Sequence, residues 1–141
     1  MKKLLLALLL PLSVYSQSTQ EQIDSLRYYM HKELNEYRLQ NNVDKLQIDA
    51  NANAYAQAWA KTMYRTGNFN HSDIERSDFN GENILWGNDY SPTQLISKLK
   101  AHWTLYHWKE SPGHNKNLLD SDFKKIGYGF YKGYAVQVFQ I

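Results

Sequence analysis

The chain has 141 residues, no cysteine, and 16 basic against 14 acidic residues. This length fits one domain with a core of useful size. The absence of cysteine excludes disulfides, a thiol nucleophile, a cysteine metal site and a lipid-modified cysteine. The basic excess comes from Lys2 and Lys3, without which the counts are 14 and 14. Neither net charge nor any block of like charges therefore predicts nucleic-acid binding.

The N-terminus has the three-part pattern of a secretory signal. Lys2 and Lys3 precede an apolar run at 4–10, and a small-residue pattern ends at Ser16, which predicts cleavage near Ser16-Gln17. The run is shorter than the roughly 20 apolar residues that a membrane-spanning helix needs. We therefore expect a signal peptide at 1–16, one domain at 17–141, no membrane span in the mature form, and a secreted or periplasmic location.

The first half of the domain has the periodicity of two helices. Ser18-Thr19-Gln20-Glu21 is a capping signal that predicts the start of a helix ending at Asn41-Asn42. Asp49 predicts the start of a second helix, which Gly67-Asn68 ends and whose apolar stripe is rich in small residues. Six residues form that stripe: Ala52, Tyr55, Ala56, Trp59, Ala60 and Met63.

The second half predicts a strand, two more helices and a hairpin. Residues 72–81 are polar and predict a loop, and residues 83–86 predict a short buried strand. Ser91-Pro92-Thr93-Gln94 is a capping box that predicts a third helix through Tyr106. Residues 126–130 alternate, Lys132-Gly133 predicts a turn, and residues 134–141 predict the returning strand.

Ser111-Pro112 predicts the start of a short fourth helix, with a hydroxyl side chain at the cap and proline at the first helical position. His114 then lies in the first turn, where the helix dipole disfavours imidazolium. A neutral ring binds a metal or accepts a proton. Several helices, few strands and a terminal hairpin together predict an α+β fold with a small antiparallel sheet between helices.

The aromatic residues of the helices also recur at helical spacing, which predicts that most of them are core residues. They are Tyr28, Tyr29, Trp59, Trp103, Tyr106 and Trp108.

Six passages, in chain order, resemble the CAP superfamily, also called the SCP domain, which includes cysteine-rich secretory proteins, venom allergens and plant pathogenesis-related proteins. They are Leu34-Asn35-Glu36-Tyr37-Arg38, Phe69-Asn70-His71-Ser72, Gly81-Glu82-Asn83-Ile84, Trp108 to His114, Ile126 to Phe130, and Val136 to Phe139. The resemblance implies a three-layer α-β-α sandwich, and the lack of cysteine points to a short bacterial form.

The resemblance further implies a cleft lined by two histidines and two acidic residues. His71 and His114 match the histidines and Glu82 matches one acid. Two imidazoles and a carboxylate are a reasonable donor set for a divalent metal, zinc above all. Glu82 could instead orient one imidazole without touching the metal. The amide of its neighbour Asn83 is expected to pin the junction of strand and loop and not to react.

The fourth position of the cleft is open. Many CAP proteins have the second acid three residues after the tryptophan, where this chain has Ser111, and Glu110 lies one residue earlier. Glu110 is a candidate for the cleft, but a turn does not fix the direction of a side chain. Ser111 and His114 could also form a nucleophile pair, although Ser111 lies in no Gly-x-Ser-x-Gly elbow and is expected to cap the helix instead.

Histidines also have ordinary structural uses. Without the family resemblance, His71 and His114 would be interpreted as surface or hydrogen-bonded residues with no ligand. The other three histidines are expected to be helix-surface or packing residues: His31, His102 and His107.

Two function classes follow from the resemblance. One is a secreted, non-catalytic module that binds an extracellular lipid, peptide or glycan and holds a divalent metal in its cleft. The other is a metal-dependent hydrolase, peptidase-like, in which Glu82 or Glu110 activates a metal-bound water. The binding class is favoured, because nothing in the sequence supplies a group to stabilise a developing oxyanion. No catalytic residue is assigned.

Overall fold

The computed structural model describes residues 12–87 and 94–141. Its elements in chain order are α1 (Leu12–Gln40), β1 (Gln47–Ile48), α2 (Ala50–Thr66), a 3-10 turn (Ile74–Arg76), β2 (Gly81–Trp86), α3 (Gln94–Glu110), α4 (Pro112–Leu119), β3 (Lys125–Tyr131) and β4 (Tyr134–Gln140). The four strands form one sheet in the order β1-β3-β4-β2. The α+β fold class is thereby confirmed.

The sheet separates two apolar cores, so the molecule has three layers. Alternate residues of β4 face opposite sides, with Val136 and Val138 in one core and Ala135 and Phe139 in the other. The first core is formed with the small residues of α2. The second is formed with α1, α3 and α4, and Trp108 is fully buried in it.

The terminal hairpin is confirmed, with β3 and β4 antiparallel from the pair Lys125–Gln140 to the pair Tyr131–Tyr134. Strand β2 extends the sheet on the other side of β4, also antiparallel. The sheet is not purely antiparallel, because the two-residue β1 pairs in parallel with the start of β3. A strand this short has no periodicity of its own, and sequence analysis did not detect it.

Several predicted helix ends are confirmed. The Oδ1 atom of Asp49 accepts a hydrogen bond from the backbone N–H of Ala52 at 2.9 Å, and Gly67 ends α2 in the left-handed conformation with φ of 68°. Helix α1 ends before Asn41-Asn42. Proline at 112 opens α4 as predicted.

The start of α1 differs from the prediction, and the predicted start of α3 lies outside the residues that the structure describes. Helix α1 is continuous from Leu12, so the expected start at Ser18–Glu21 was wrong, because a helix already in progress needs no new cap. The capping residues Ser91, Pro92 and Thr93 lie outside the described residues.

Within the described ranges, no helix is both long enough and apolar enough to cross a membrane.

The prediction that most helix aromatics are core residues was wrong for three of them. Trp108 is buried, but Tyr28 is 61%, Tyr106 52% and Trp103 36% exposed. Helical spacing places a residue on a face of the helix without saying which face is buried.

Helix α2 lies unusually close to β3. A Cβ atom on Gly127 would overlap the backbone of Ala52 and Asn53, and one on Gly129 would overlap the backbone of Ala56. Only glycine permits this approach, which places short α2 side chains within reach of the outer edge of β3.

Arg38 fixes the position of α4. Its fully buried guanidinium donates to four backbone oxygens, those of Asp44 at 2.7 Å, Leu118 at 2.8 Å, Asp120 at 3.0 Å and Phe123 at 3.5 Å. These donors hold the end of α4 and the loop after it against α1.

Candidate functional site

Glu82 is a buried carboxylate on β2, which lies at the edge of the sheet. Its side chain is only 2% exposed. Three donors reach it. The Nδ1 atom of His71 and the backbone N–H of Ser72 lie 2.8 and 2.9 Å from Oε1, and the hydroxyl of Ser72 lies 2.6 Å from Oε2. Both carboxylate oxygens are therefore already engaged within the protein.

His71 lies just beyond the end of α2, and its side chain is 59% exposed. Because a carboxylate only accepts hydrogen bonds, the Nδ1 atom of His71 carries the proton that it shares with Glu82. In the neutral ring this leaves the lone pair on Nε2. A histidine fixed in this way by a carboxylate is the usual arrangement of a metal-binding imidazole.

Two residues at this site were missed by sequence analysis. Ser72 contacts both oxygens of Glu82, and the hydroxyl of Tyr55 donates to the Oγ atom of Ser72 at 2.9 Å. The only signal for Ser72 was its place beside His71 in one of the matching passages. Tyr55 gave no signal, because its position in the stripe of α2 indicated packing alone.

His114 lies in the first turn of α4, as the sequence predicted, and is partly buried. Burial lowers the pKa of His114, and the charge of His71 lowers this pKa further. His114 therefore favours the neutral form, the form that coordinates a cation.

Asn83 ties the helix that carries His114 to the strand that carries Glu82. Its Nδ2 atom donates to the backbone oxygen of His114 at 3.2 Å and to Oε1 of Gln137 at 3.1 Å. Asn117 of α4 donates to Oδ1 of Asn83 at 2.9 Å and to the backbone oxygen of Glu82 at 3.2 Å. The expected pinning role of Asn83 thus takes the form of a bridge between α4 and β2.

The structure places the remaining candidates at the junction of α3 and α4. Glu110 is the exposed last residue of α3. Ser111 is at the cap position of α4, but its side chain makes no capping hydrogen bond, so that part of the prediction was wrong; its extended backbone and Pro112 start the helix instead. In the described chain no hydrogen bond joins Ser111 to His114 or Glu110 to either histidine.

The other histidines have local partners. His31 is hydrogen-bonded to the hydroxyl of Tyr128, His102 contacts Glu33, and His107 stacks on Trp103 at 4.0 Å between ring centroids. Each serves packing or surface structure, as expected.

The donor set of the cleft fits a cation only in part. Two imidazoles remain, since the carboxylate of Glu82 is buried and accepts three hydrogen bonds from its neighbours. Over residues 12–87 and 94–141, no group of three or more His, Cys, Asp or Glu side chains is arranged to hold a metal ion. Catalytic zinc sites have three protein ligands, so two imidazoles suit a weaker site completed by water or by a ligand.

The three-layer α+β sandwich is the fold that the resemblance to the CAP superfamily implied. The model of that family, described as the cysteine-rich secretory protein family, matches residues 31–140, which is more than half of the chain. The chain therefore belongs to the CAP family.

Solved structures agree with this fold. An extracellular SCP-domain protein of Bacillus anthracis is similar with a TM-score of 0.68 and 24% identity, covering 93% of this chain and 44% of that one. An outer surface protein of Borrelia burgdorferi has a TM-score of 0.65 and 19% identity, covering 82% and 92%. A cysteine-rich secretory protein of Staphylococcus aureus has a TM-score of 0.60 and 16% identity, covering 84% and 39%.

At these identities the likeness concerns the fold alone. The chain spans less than half the length of the Bacillus and Staphylococcus proteins. Comparison with curated protein sequences gives no significant match.

Proposed function

We propose that this protein is an exported, non-catalytic binding module whose cleft holds a divalent cation, zinc above all, between His71 and His114. The open coordination positions of that cation would take an oxygen ligand, such as a carboxylate, from an extracellular lipid, peptide or glycan. The signal pattern at residues 1–16 supports export, as do the extracellular and outer-surface descriptions of two similar structures.

The observation that carries this proposal is that the carboxylate of Glu82 is buried and hydrogen-bonded to its neighbours. A hydrolase of this cleft needs a base that can reach a metal-bound water. Glu82 is 2% exposed and both of its oxygens accept hydrogen bonds from its neighbours, so it orients His71 instead of abstracting a proton. Glu110 is exposed at the end of α3, with no hydrogen bond or ion pair to His71 or His114 among the described residues.

The two imidazoles are nevertheless suited to coordination. Nδ1 of His71 is engaged by Glu82, which leaves Nε2 for a cation. The lowered pKa of His114 keeps that ring neutral. Both rings must be deprotonated to coordinate, so cation binding weakens as the pH falls.

The first test is a zinc titration of the mature protein by calorimetry. We expect weak binding that His71→Ala and His114→Ala each abolish while the circular dichroism spectrum stays native. His102→Ala is the matched control, because it removes a histidine that also contacts a carboxylate but lies away from the cleft. Equal zinc affinity in wild type and both cleft variants would remove the cation from the proposal.

The second test separates binding from catalysis. Zinc-loaded protein is assayed for turnover on peptide and ester libraries and for retention of lipids, peptides and glycans. Retention without turnover is the expected result. Turnover that disappears in both Glu82→Gln and His114→Ala, with folding intact, would establish the metal-dependent hydrolase.

N-terminal sequencing of the exported protein checks the predicted start near Gln17.

A further inference from the structure

We infer that Ser72, held by Tyr55, is a positioning residue that fixes the carboxylate of Glu82 and, through it, the tautomer and direction of His71. This inference rests on the proposed cation site, since it names what orients one of the two ligands of that site.

The first observation is that one residue contacts both oxygens of the carboxylate. The backbone N–H of Ser72 lies 2.9 Å from Oε1 of Glu82, and its hydroxyl lies 2.6 Å from Oε2. A rotation of the carboxylate would break both hydrogen bonds at once. The shorter of them is in the range of charge-assisted O–H···O bonds, the stronger class of hydrogen bond.

The second observation fixes the direction of the hydroxyl protons. Oγ of Ser72 carries one proton, and the Oε2 atom of Glu82 can only accept it. Tyr55 therefore donates its own proton to Oγ, across 2.9 Å. The order of donation is Tyr55 to Ser72 to Glu82, so the hydroxyl of Ser72 accepts from Tyr55 and donates to Glu82.

Tyr55 is itself held in place. It lies on α2, and its ring packs against that of Phe79 with centroids 4.9 Å apart. Ser72 is buried, with 9% exposure. The chain of hydroxyls therefore starts on a rigid helix and ends on a carboxylate with 2% exposure.

The third observation is that His71 has little else to orient it. Its side chain is 59% exposed, and its hydrogen bond in the described structure is the one to Glu82. A neutral histidine side chain in water favours the proton on Nε2, the nitrogen that the cation needs. The fixed carboxylate reverses this preference, because it draws the proton to Nδ1 and leaves Nε2 as the ligand atom.

A purely structural role for Ser72, that of joining its loop to β2, would alter stability without altering His71. Two readouts distinguish the roles. One is the tautomer of His71 in metal-free protein, read from long-range ¹H–¹⁵N correlations at a pH where the imidazoles are neutral. The other is zinc affinity from calorimetry.

The variants are Ser72→Ala, Ser72→Thr and Tyr55→Phe, with Ser121→Ala as the control at an exposed serine. In wild type and Ser121→Ala we expect the Nδ1–H tautomer of His71. Ser72→Ala should give a mixture of tautomers and a loss of zinc affinity of about 10- to 100-fold, the usual effect of removing a partner that orients a ligand. Ser72→Thr keeps the hydroxyl and should restore the wild-type tautomer. Tyr55→Phe should give a smaller change in the same direction.

The outcomes separate this inference from the proposed function. If wild type binds no zinc, the cation site fails, and the tautomer readout still decides the positioning role. If zinc binds but Ser72→Ala leaves both affinity and tautomer unchanged, the positioning role is overturned and the cation site stands. If Ser72→Ala does not fold, Tyr55→Phe decides by the same two readouts.

Discussion

At the scale of single residues, His31 shows how a partly buried ring is held in one protonation state. Asn35 donates to the backbone oxygen of Leu46 and accepts from its N–H, which fixes the orientation of the amide. Its Nδ2 atom faces Nε2 of His31 at 3.1 Å, so that nitrogen accepts. Nδ1 then carries the proton and donates to the hydroxyl of Tyr128 at 3.0 Å. A second proton on the ring would have to face the amide donor.

This arrangement predicts a pH-dependent stability. Burial lowers the pKa of His31 in the folded state below its ordinary value of 6.5. Between the ordinary pKa of 6.5 and the lower folded-state pKa, His31 takes up a proton in the unfolded chain but not in the folded chain. The contribution is therefore fully present above the unfolded pKa and is lost as the pH falls from there toward the folded pKa.

We expect the free energy of unfolding, measured by urea denaturation, to fall as the pH is lowered below the unfolded pKa of His31. This one proton contributes a slope of at most ~1.4 kcal/mol per pH unit. His31→Gln keeps a donor and an acceptor but does not titrate, so it should flatten the slope. The part that remains includes His114, whose pKa is lowered in the same direction. Identical slopes in wild type and His31→Gln would contradict this account.

The sequence named candidate residues for the site but not their contacts. His71, Glu82 and His114 became candidates because each lies in a short passage that matches the family in order. The carboxylate of Glu82 meets Ser72, and Ser72 meets Tyr55, through packing between α2, the following loop and β2. That packing leaves no periodic trace, so neither residue could be assigned a role from sequence.

At the scale of elements, α2 takes the place of a neighbouring strand along part of β3. Asn53 accepts from the N–H of Tyr128, and Gln57 both accepts from the N–H and donates to the oxygen of Phe130. Four helical residues rise about 6.0 Å and two strand residues rise about 6.6 Å, so the two spacings match. Arg27 donates to the oxygen of Tyr128 and completes the set. This edge is thereby closed to pairing with another strand.

The sequence predicted features that depend on local signals, but not those that depend on how α2 packs. The caps at Asp49 and Gly67 and the turn at Lys132-Gly133 are local signals, and they were predicted correctly. The parallel pairing of β1 with β3 depends on where α2 comes to lie, and two residues carry no pattern. The start of α1 was misplaced because a capping signal inside a continuous helix has the same letters as one at its end.

The contact between α2 and β3 gives a prediction for Gly129. Gly129→Ala places a Cβ atom on the backbone of Ala56, which cannot move aside as a flexible side chain would. We expect a loss of about 3 kcal/mol in the free energy of unfolding, at the upper end of the range for overpacked cores. Gly113→Ala is the matched control, because a Cβ atom there meets nothing within 4 Å and the site is in α4. That variant should keep or raise stability by up to ~1 kcal/mol. A Gly129→Ala protein as stable as wild type would mean that α2 does not lie this close.

At the scale of the whole molecule, a chain without cysteine is held together by its two cores and by buried polar ties between distant segments. Arg38 is the most extended of these ties among the described residues. It lies near the end of α1, and its guanidinium reaches backbone oxygens of the loop before β1, of α4 and of the loop before β3. Burial lowers the pKa of Arg38, and the charges of Asp120 and Asp44 oppose this. The same residue therefore stabilises the fold and sets the position of the helix that carries His114.

Arg38→Lys should show that this geometry, and not the positive charge, is what the molecule needs. A lysine ammonium is a compact point charge and cannot reach four backbone oxygens spread around a planar guanidinium. Each buried oxygen that loses its donor costs about 1–3 kcal/mol, so we expect a loss of roughly 3 kcal/mol or more in the free energy of unfolding. Because α4 loses its tie to α1, zinc affinity at the proposed cation site should fall as well, although Arg38 is hydrogen-bonded to neither histidine. Arg65→Lys, at an exposed position of α2, is the control and should change neither quantity. Denaturant unfolding and zinc calorimetry on the same preparations check both effects. If Arg38→Lys lowers stability but leaves zinc affinity intact, α4 is positioned by its bridge to Asn83 alone, since Asn83 and Asn117 join α4 to β2 without any contribution from Arg38.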